Sequence, residues 1–346
     1  MLTISNGCNR SSNRIAMDEK NIPEIILEKS KIPVVYLDTC IMLDLLKHKD
    51  GIYKNEYTKE IGELYDLLLE LMRQKRILCP LGNQMIEMGV STKRVKERDF
   101  LYSFTNAYFQ DPYILEQRQL DQGFQAFINE EEIISFDFAL VLEKDVNINS
   151  QFKVNVATIY KKDKIDKLKQ VKQDTVAMLN EVKEQNRVAA NLEEQLEREL
   201  KADFEVFVHI LEHANDSVEA FSLFVDSIIK ILRRNNCEAN IYNPECVYAV
   251  DRHNHFLLSN YHHKLPYVWI QSVLWAHRMQ RSNKIKRGDN LDTVWAASYL
   301  PFVDYAVTDI EFCALLQSTG LAQQYGVQVY SMRTINDFIR ELKSFT

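Results

Sequence analysis

Chain breakers are scarce over most of this sequence. Its 346 residues include 9 glycines and 7 prolines, unevenly placed. No glycine occurs from Phe124 to Arg287 and no proline from Tyr113 to Asn243. Lacking both breakers, that middle region is expected to be mostly helical. Cysteine is sparse too. The six (Cys8, Cys40, Cys79, Cys237, Cys246, Cys313) lie far apart with no CxxC spacing. This argues against a zinc ribbon, a disulfide scaffold or a redox motif, and fits reduced thiols in the cytoplasm. No segment approaches the roughly 18 consecutive apolar residues of a membrane span, so no membrane partner is expected. The opening MLTISNGCNRSSNRIAMDEKN is polar and lacks the apolar core of a signal peptide. An excess of positive charge is missing as well: 42 Lys and Arg face 49 Asp and Glu, a net charge of -7. That argues against indiscriminate coating of nucleic acid and leaves room for a local basic patch.

The remaining composition, 46% hydrophobic and 26% charged, is that of a globular protein. The length allows one large domain or two ordinary ones. Residues 1–30 read as an N-terminal tail, rich in Ser and Asn up to about Asn21. From Pro33 strand and helix alternate. Val34-Val35-Tyr36-Leu37 has no polar alternation and reads as a strand buried on both faces. Helical spacing follows at Ile41–Lys47 and Ile61–Arg76, a short strand at Ile77–Pro80, and a helix at Gln84–Val90 with Asn83 as candidate N-cap.

The α/β pattern resumes after Gly288. A helix is expected over Asn290–Leu300, a strand at Tyr305–Val307, a helix at Ile310–Ser318, a strand at Val327–Tyr330 and a helix at Ile335–Ser344. The chain thus starts a sheet, leaves it for about 190 residues, and returns to complete it. The expected organisation is a core from 31–92 and 285–346, interrupted by a helical insertion over 93–284. Within the insertion, Val154–Asp203 mixes Lys, Glu and Gln with apolar residues three and four apart. It reads as a solvated amphipathic helix or hairpin, or as a coiled-coil arm that contacts a regulatory protein or a second copy of the chain.

Several carboxylates fall at positions that matter in such a fold. In open parallel sheets, ligands bind outside the carboxyl ends of the strands. Asp38 follows the first strand, and Asp309 follows Tyr305-Ala306-Val307-Thr308 in the same way. Each could equally cap the helix after it. Glu87 lies in an apolar helical stretch; Asp289 and Asp292 open the helix after Gly288, where acids complement the helix dipole; Asp304 precedes a strand and has the look of a turn residue. Clustered carboxylates repel unless cations neutralise them, and oxygen-only ligands favour Mg²⁺ or Mn²⁺ over zinc.

Three stretches resemble the motifs of PIN-domain ribonucleases. VVYLDTCIMLDLL resembles the family's first motif, a hydrophobic strand, an Asp, then Thr or Ser. ILCPLGNQMIEMG resembles the second, a strand followed by a helix carrying Glu. GDNLDTVWAASYLPFVDYAVTDIEF resembles the last two, an Asp followed four residues on by a small residue, then a strand ending in Thr-Asp. The resemblance covers about 120 residues and implies an α/β/α sandwich around a central parallel sheet, interrupted here by the helical insertion. It implies that Asp38, Glu87, Asp292 and Asp309 are the catalytic, metal-binding acids. Thr39, Asp289, Asp304 and Thr308 become accessory residues. Cys40 departs from the pattern, which commonly has Asn there.

Holding a polyanion beside such acids requires cations. Lys93, Arg94, Lys96 and Arg98 follow Glu87, and Arg278, Arg281, Lys284, Lys286 and Arg287 precede Asp292. Each run is a phosphate-contacting patch or a solvated charged face. Tyr267, Trp269 and Trp275 are core residues or stacking platforms for unpaired bases. His253, His255, His262 and His263 lack the spacing of a zinc motif and read as structural or substrate contacts.

The expectation is a metal-dependent endonuclease, preferring RNA, with metal-activated water as nucleophile. By fold-level analogy it would serve as a toxin or antiviral defence effector. The alternatives are a non-catalytic scaffold acting through its insertion, or a doubly wound phosphatase. The phosphatase would need a second Asp two residues after Asp38, where Cys40 stands.

Overall fold

The computed structural model describes residues 22–82, 84–88, 94–143, 176–184, 191–240, 245–286 and 288–345. It is mixed α/β and mostly helical, with small parallel sheets. Strands β1 (Glu24–Glu28) and β5 (Ile133–Asp137) form one parallel pair. Strands β2 (Val35–Leu37), β6 (Tyr305–Val307) and β7 (Gln328–Tyr330) form a three-stranded parallel sheet in that order. Strands β3 (Pro80–Leu81) and β4 (Ala107–Tyr108) pair in parallel. An isolated parallel bridge, Val34 to Leu78, carries the β3 segment alongside β2, and the Val35 N–H donates to the Leu78 carbonyl at 2.7 Å.

Side chains of the three-stranded sheet alternate between two hydrophobic clusters, as a pleated strand requires. Val35, Leu37, Tyr305 and Val307 face helices α1 (Thr39–Lys49), α2 (Thr58–Arg73), α4 (Val95–Phe104) and α15 (Ile335–Lys343). Tyr36, Ala306 and Val329 face the other way. There they meet Trp295 of α12 (Asp289–Tyr299), Phe312 of α13 (Ile310–Ser318), and helices of the middle region. Those helices are α5 (Pro112–Asn129), α7 (Leu192–Glu212), α8 (Val218–Arg234), α9 (Cys246–Leu257), α10 (Asn260–His263) and α11 (Pro266–Gln280). Their starts are written in the sequence. Asp111, Asn191, Ser217 and Ser259 each accept from a backbone N–H in the first turn, and Pro112 stands where a helix can spare its N–H. Short α3 (Gln84–Met88) and α14 (Leu321–Gln324) complete the frame, with α6 over 176–184.

Two expectations change. The N-terminal tail is not wholly loose, because Glu24–Glu28 is a strand. The middle region is not all helical: β4 and β5 lie inside it. Absence of Gly and Pro leaves helix-compatible sequence but does not forbid a short strand, and Ile133-Ile134-Ser135-Phe136-Asp137 alternates exposed and buried residues. The middle region packs on the sheet: Phe124, Phe256 and Leu274 share one cluster with Tyr36 and Ala306. Of Val154–Asp203, most falls outside the described residues, as does the Asn83 cap; α7 packs along α11 rather than standing free. Among the described residues no helix is long and apolar enough to cross a membrane.

Candidate active site at the strand edge

β2 and β6 run in register, Leu37 opposite Val307. The residues that follow therefore leave the sheet at one edge. The Asp38 N–H donates to the Val307 carbonyl at 2.9 Å, and the Thr308 N–H to the Tyr330 carbonyl at 3.0 Å, so the ladder continues to the acids themselves. Each Asp then caps a helix with Oδ1. Asp38 Oδ1 accepts from the Thr39 N–H at 2.6 Å, and Asp309 Oδ1 from the Glu311 and Phe312 N–H groups at 2.8 and 3.0 Å. The second oxygen of Asp38 turns to the neighbouring strand end. Asp38 Oδ2 takes the Thr308 hydroxyl at 3.1 Å and the Cys40 thiol at 3.4 Å. Capping and site chemistry thus use different atoms of the same side chain, and Cys40 supplies a polar contact at the position where the sequence pattern is atypical.

The electrostatics are those of crowded acids. Desolvation raises the Asp38 carboxyl above the ordinary carboxylate range; hydrogen bonds from Thr39, Cys40 and Thr308 pull it down, and the Asp309 charge pushes it up again. Surrounding protein first, then Asp38, Asp309 and Asp44, pushes the Cys40 thiol up, so it stays protonated. The Thr39 hydroxyl is buried and has no hydrogen-bond partner among the described residues.

The acids of α12 are held by an arginine. Arg278, near the end of α11 with a side chain only 6% exposed, places Nη2 3.6 Å from Asp289 Oδ1 and 3.5 Å from Asp292 Oδ2. Its Nη1 donates to the Asp289 carbonyl and the Thr293 hydroxyl. The guanidinium lies over the rings of Trp275 and Phe312, 5.7 and 5.6 Å from their centroids. Burial pulls the group below its ordinary value, while Asp289, Asp292 and Asp309 raise it. It remains charged, as an arginine does in proteins.

The remaining candidates separate. Lys286 pairs with Glu311, its backbone N–H donates to Asp289 Oδ2 at 2.6 Å, and it feels the charges of Asp289 and Asp309. Arg281 interacts electrostatically with Arg278 and Glu311, and Lys284 is exposed between them in sequence. The second basic run therefore borders the acids, with Arg287 outside the described residues. The first run does not reach them in the same way. Lys96 is paired with Asp50 at 2.7 Å, at the far end of α1 from Asp38, about 18 Å away at the rise of an α-helix. Arg94, at the cap of α4, donates to Met88 Sδ of α3 at 3.7 Å, and Arg98 lies in the body of α4; Lys93 lies outside the described residues.

Asp304 is at the opposite end of β6 from Asp309. Its Oδ2 accepts from the Val34 N–H at 2.8 Å and its Oδ1 faces Lys29 at 3.7 Å, which makes it a turn residue and not part of the site. Glu87 is in α3, and its side chain lies outside the described residues. Tyr267 and Trp275 are buried and so are not free to stack a base, whereas Trp269 is half-buried, its N–H donating to Gln324 at 3.0 Å and Lys264 Nζ lying 5.4 Å from its ring. His253, His262 and His263 are buried too, with His262 bonded to Asp203 at 3.1 Å.

The sequence reading missed two groups. Gln84 is buried, donates to the Leu37 carbonyl at 2.7 Å and accepts the Gly82 N–H at 2.7 Å, pinning α3 to the end of β2. Arg278 read as one member of a basic run. Its place three and four residues after Trp275 and Leu274, on the apolar stripe of α11, was the signal that it points inward.

Carboxylates beside an unsatisfied Thr39 hydroxyl fit a hard divalent ion in kind. Their present spacing is not that of a closed site, since among the described residues no three His, Cys, Asp or Glu side chains stand close enough to hold a metal ion together. No family model, no curated protein and no solved structure matches the chain.

Proposed function

We propose that the chain is a Mg²⁺- or Mn²⁺-dependent phosphodiesterase with a PIN-like core that cleaves RNA. The observation that carries this reading is the delivery of Asp38 and Asp309 to one edge by adjacent parallel strands, joined by the Thr308–Asp38 hydrogen bond at 3.1 Å. The motifs around Asp38, Glu87, Asp292 and Asp309 support it, as does the basic border of Arg281, Lys284 and Lys286. Asp38, Asp309, Asp292 and Glu87 would be the residues that hold the ion, as the motif resemblance implies. A bound divalent ion supplies Lewis acidity and a water that ionises near neutral pH.

The chain's own residues do the rest. Thr308 and Cys40 orient Asp38 Oδ2. Arg281, Lys284 and Lys286 meet backbone phosphates, which position a nucleic acid without reading its sequence. The attacking group in this reading is a water, so no covalent intermediate is implied. A non-catalytic scaffold is the second reading, favoured by the ion pairs that already neutralise the α12 acids.

Incubation of labelled RNA and DNA with Mg²⁺, Mn²⁺ or chelator separates the two. We expect chelator-sensitive cleavage of RNA, reduced at least about 100-fold by Asp38→Asn, because the change removes a charge from the metal site. Equal cleavage by wild type and Asp38→Asn would remove the site assignment, and no cleavage under any condition leaves the scaffold. As a toxin or defence effector, the active chain should also slow growth on overexpression, and Asp38→Asn should not.

A further inference from the structure

We propose that the cleft between α5 and α8 binds a small phosphorylated ligand of the mononucleotide class, with its phosphate on Lys230, Arg233 and Arg234 and its base on Tyr113. The inference does not rest on the nuclease reading. The α5 stretch that bears the cleft meets the start of α11, where the Tyr267 N–H donates to Gln119 at 2.9 Å. Arg278 meets the α12 acids near the other end of α11, so the cleft and the acidic edge are separate places.

The cleft has a volume of about 290 Å³, near the lower end for small-molecule sites, and every residue that lines it is polar or charged. Gln117, Asp121 and Gln125 recur every four residues along one face of α5. Lys230, Arg233 and Arg234 face them from the end of α8, with Asn236 just beyond. Arg234 is a held fork with its side chain 12% exposed. Its Nε donates to Asp121 Oδ1 at 2.6 Å and its Nη2 to Gln117 Oε1 at 2.8 Å, while Gln125 donates to its carbonyl at 3.0 Å. Nη1 keeps both N–H groups uncommitted among the described residues, in the planar geometry that suits phosphate oxygens. Lys230 and Arg233 have no carboxylate partner among the described residues, so Asp121 alone opposes three cations in the cleft. Glu116 is within electrostatic reach of Lys230 and Arg234, but it is bonded to Tyr267 and does not line the cleft. The helix dipole favours Arg233 and Arg234 in the last turn of α8; it gives no reason for Lys230 a turn earlier, or for gathering all three in one concavity. An anion relieves that excess of positive charge. The ring of Tyr113 stands at the rim, 51% exposed with Lys230 Nζ 5.7 Å from its centroid, and offers a face to a base whose phosphate lies on that lysine. Gln117 Nε2, Gln125 Oε1 and the Asn236 amide have no partner among the described residues and can meet sugar hydroxyls or base edges.

Calorimetric titration of the full chain tests this without reference to turnover. The probes are the four ribonucleoside 5′-monophosphates, the matching nucleosides and inorganic phosphate, in buffer free of divalent ions. Tyr113, Lys230 and Arg233 are exposed, so substitutions there leave the core intact, and circular dichroism checks each variant. We expect at least one monophosphate to bind with a Kd below about 1 mM, more tightly than its nucleoside or phosphate alone. Arg233→Ala and Lys230→Ala should each weaken it at least about tenfold, the scale of a hydrogen bond to a charged group. Tyr113→Leu should weaken the monophosphate at least about fivefold, the scale of one stacked base, and leave inorganic phosphate unchanged. Absence of binding by all four monophosphates, or equal binding by the nucleosides, overturns the proposal. So does binding that Arg233→Ala and Lys230→Ala leave unchanged. Inorganic phosphate binding as tightly as every monophosphate, with no loss in Tyr113→Leu, overturns the nucleotide class. A single-stranded RNA whose binding falls in Arg233→Ala, where no monophosphate binds, overturns the small ligand in favour of a nucleic-acid strand.

Discussion

Burial holds His253 and His263 neutral. Desolvation, then the charges of Arg234 and His262, lowers His253 to about 3. Desolvation, then His262, lowers His263 to about 4, with Lys201 acting the same way and Asp203 against it. An unfolded histidine titrates near 6.5. Above that value neither state binds the proton, and the contribution to stability is complete. Between about 6.5 and 4 the unfolded chain takes up protons that the folded chain refuses, so stability falls with pH, by about 1.4 kcal/mol per pH unit for each histidine. Asp203, lowered mainly by its bond to His262 against its own burial, loses its contribution only below the ordinary Asp value and does not act in this window. Urea unfolding at pH 7, 6 and 5 should show that slope, and His253→Leu should about halve it. A flat profile for the wild type would mean that the histidines open to solvent. These residues were visible in the sequence as a cluster, but not as an interior one. The same holds for Arg278. Asp38 and Asp309 could be read because a strand end fixes where the next side chain goes, whereas the burial of a charge depends on partners far away in sequence.

Helix ends explain what else was hidden. The sequence marks helix starts with Asp, Asn and Ser, and the strand Tyr305–Val307 and helix Ile310–Ser318 fall where the residue pattern places them. Helix stops are less visible here because three non-glycine residues do the work of glycine. Lys75, Glu130 and Asn236 have φ of 57°, 53° and 54° at the ends of α2, α5 and α8. With no glycine to read, the stop after Asn129 and the strand at Ile133–Asp137 merged into an apparently continuous helical region. β3 and β4, at two residues each, are too short to show a period at all. The left-handed conformation costs an L-residue with a Cβ roughly 1–2 kcal/mol, partly offset in glycine by the entropy of its unfolded chain. Glu130 is exposed, so Glu130→Gly should relieve that strain and raise stability by on the order of 0.5–1 kcal/mol. A higher urea midpoint at unchanged slope is the expected readout. A lower midpoint would show that the Glu130 side chain contributes more than its backbone strain costs.

On the scale of the molecule, the middle region and the sheet are parts of one core. Phe256 and Phe124 meet edge to face at 5.3 Å, both fully buried, in the cluster that also contains Trp295, Tyr36 and Ala306. Trp295 stacks 4.4 Å from Tyr36 of β2, directly behind the strand that ends at Asp38. Removing the middle region would therefore strip one face of the sheet and expose the residues that hold the acidic edge in place. The breaker-free stretch is an uninterrupted supply of helices that the sheet needs on that side. Truncation of a buried Phe to Ala costs about 3–5 kcal/mol, through lost transfer energy and the cavity left behind. If the core is shared, Phe256→Ala should lower the midpoint of the whole molecule, with far-UV circular dichroism and tryptophan fluorescence still coincident. The strand-edge site should lose its order in the same transition, read as loss of Mn²⁺ binding at the same denaturant concentration. Two separated transitions, the earlier one leaving Trp295 in its folded environment, would instead mean that the middle region unfolds on its own and that the sheet does not depend on it.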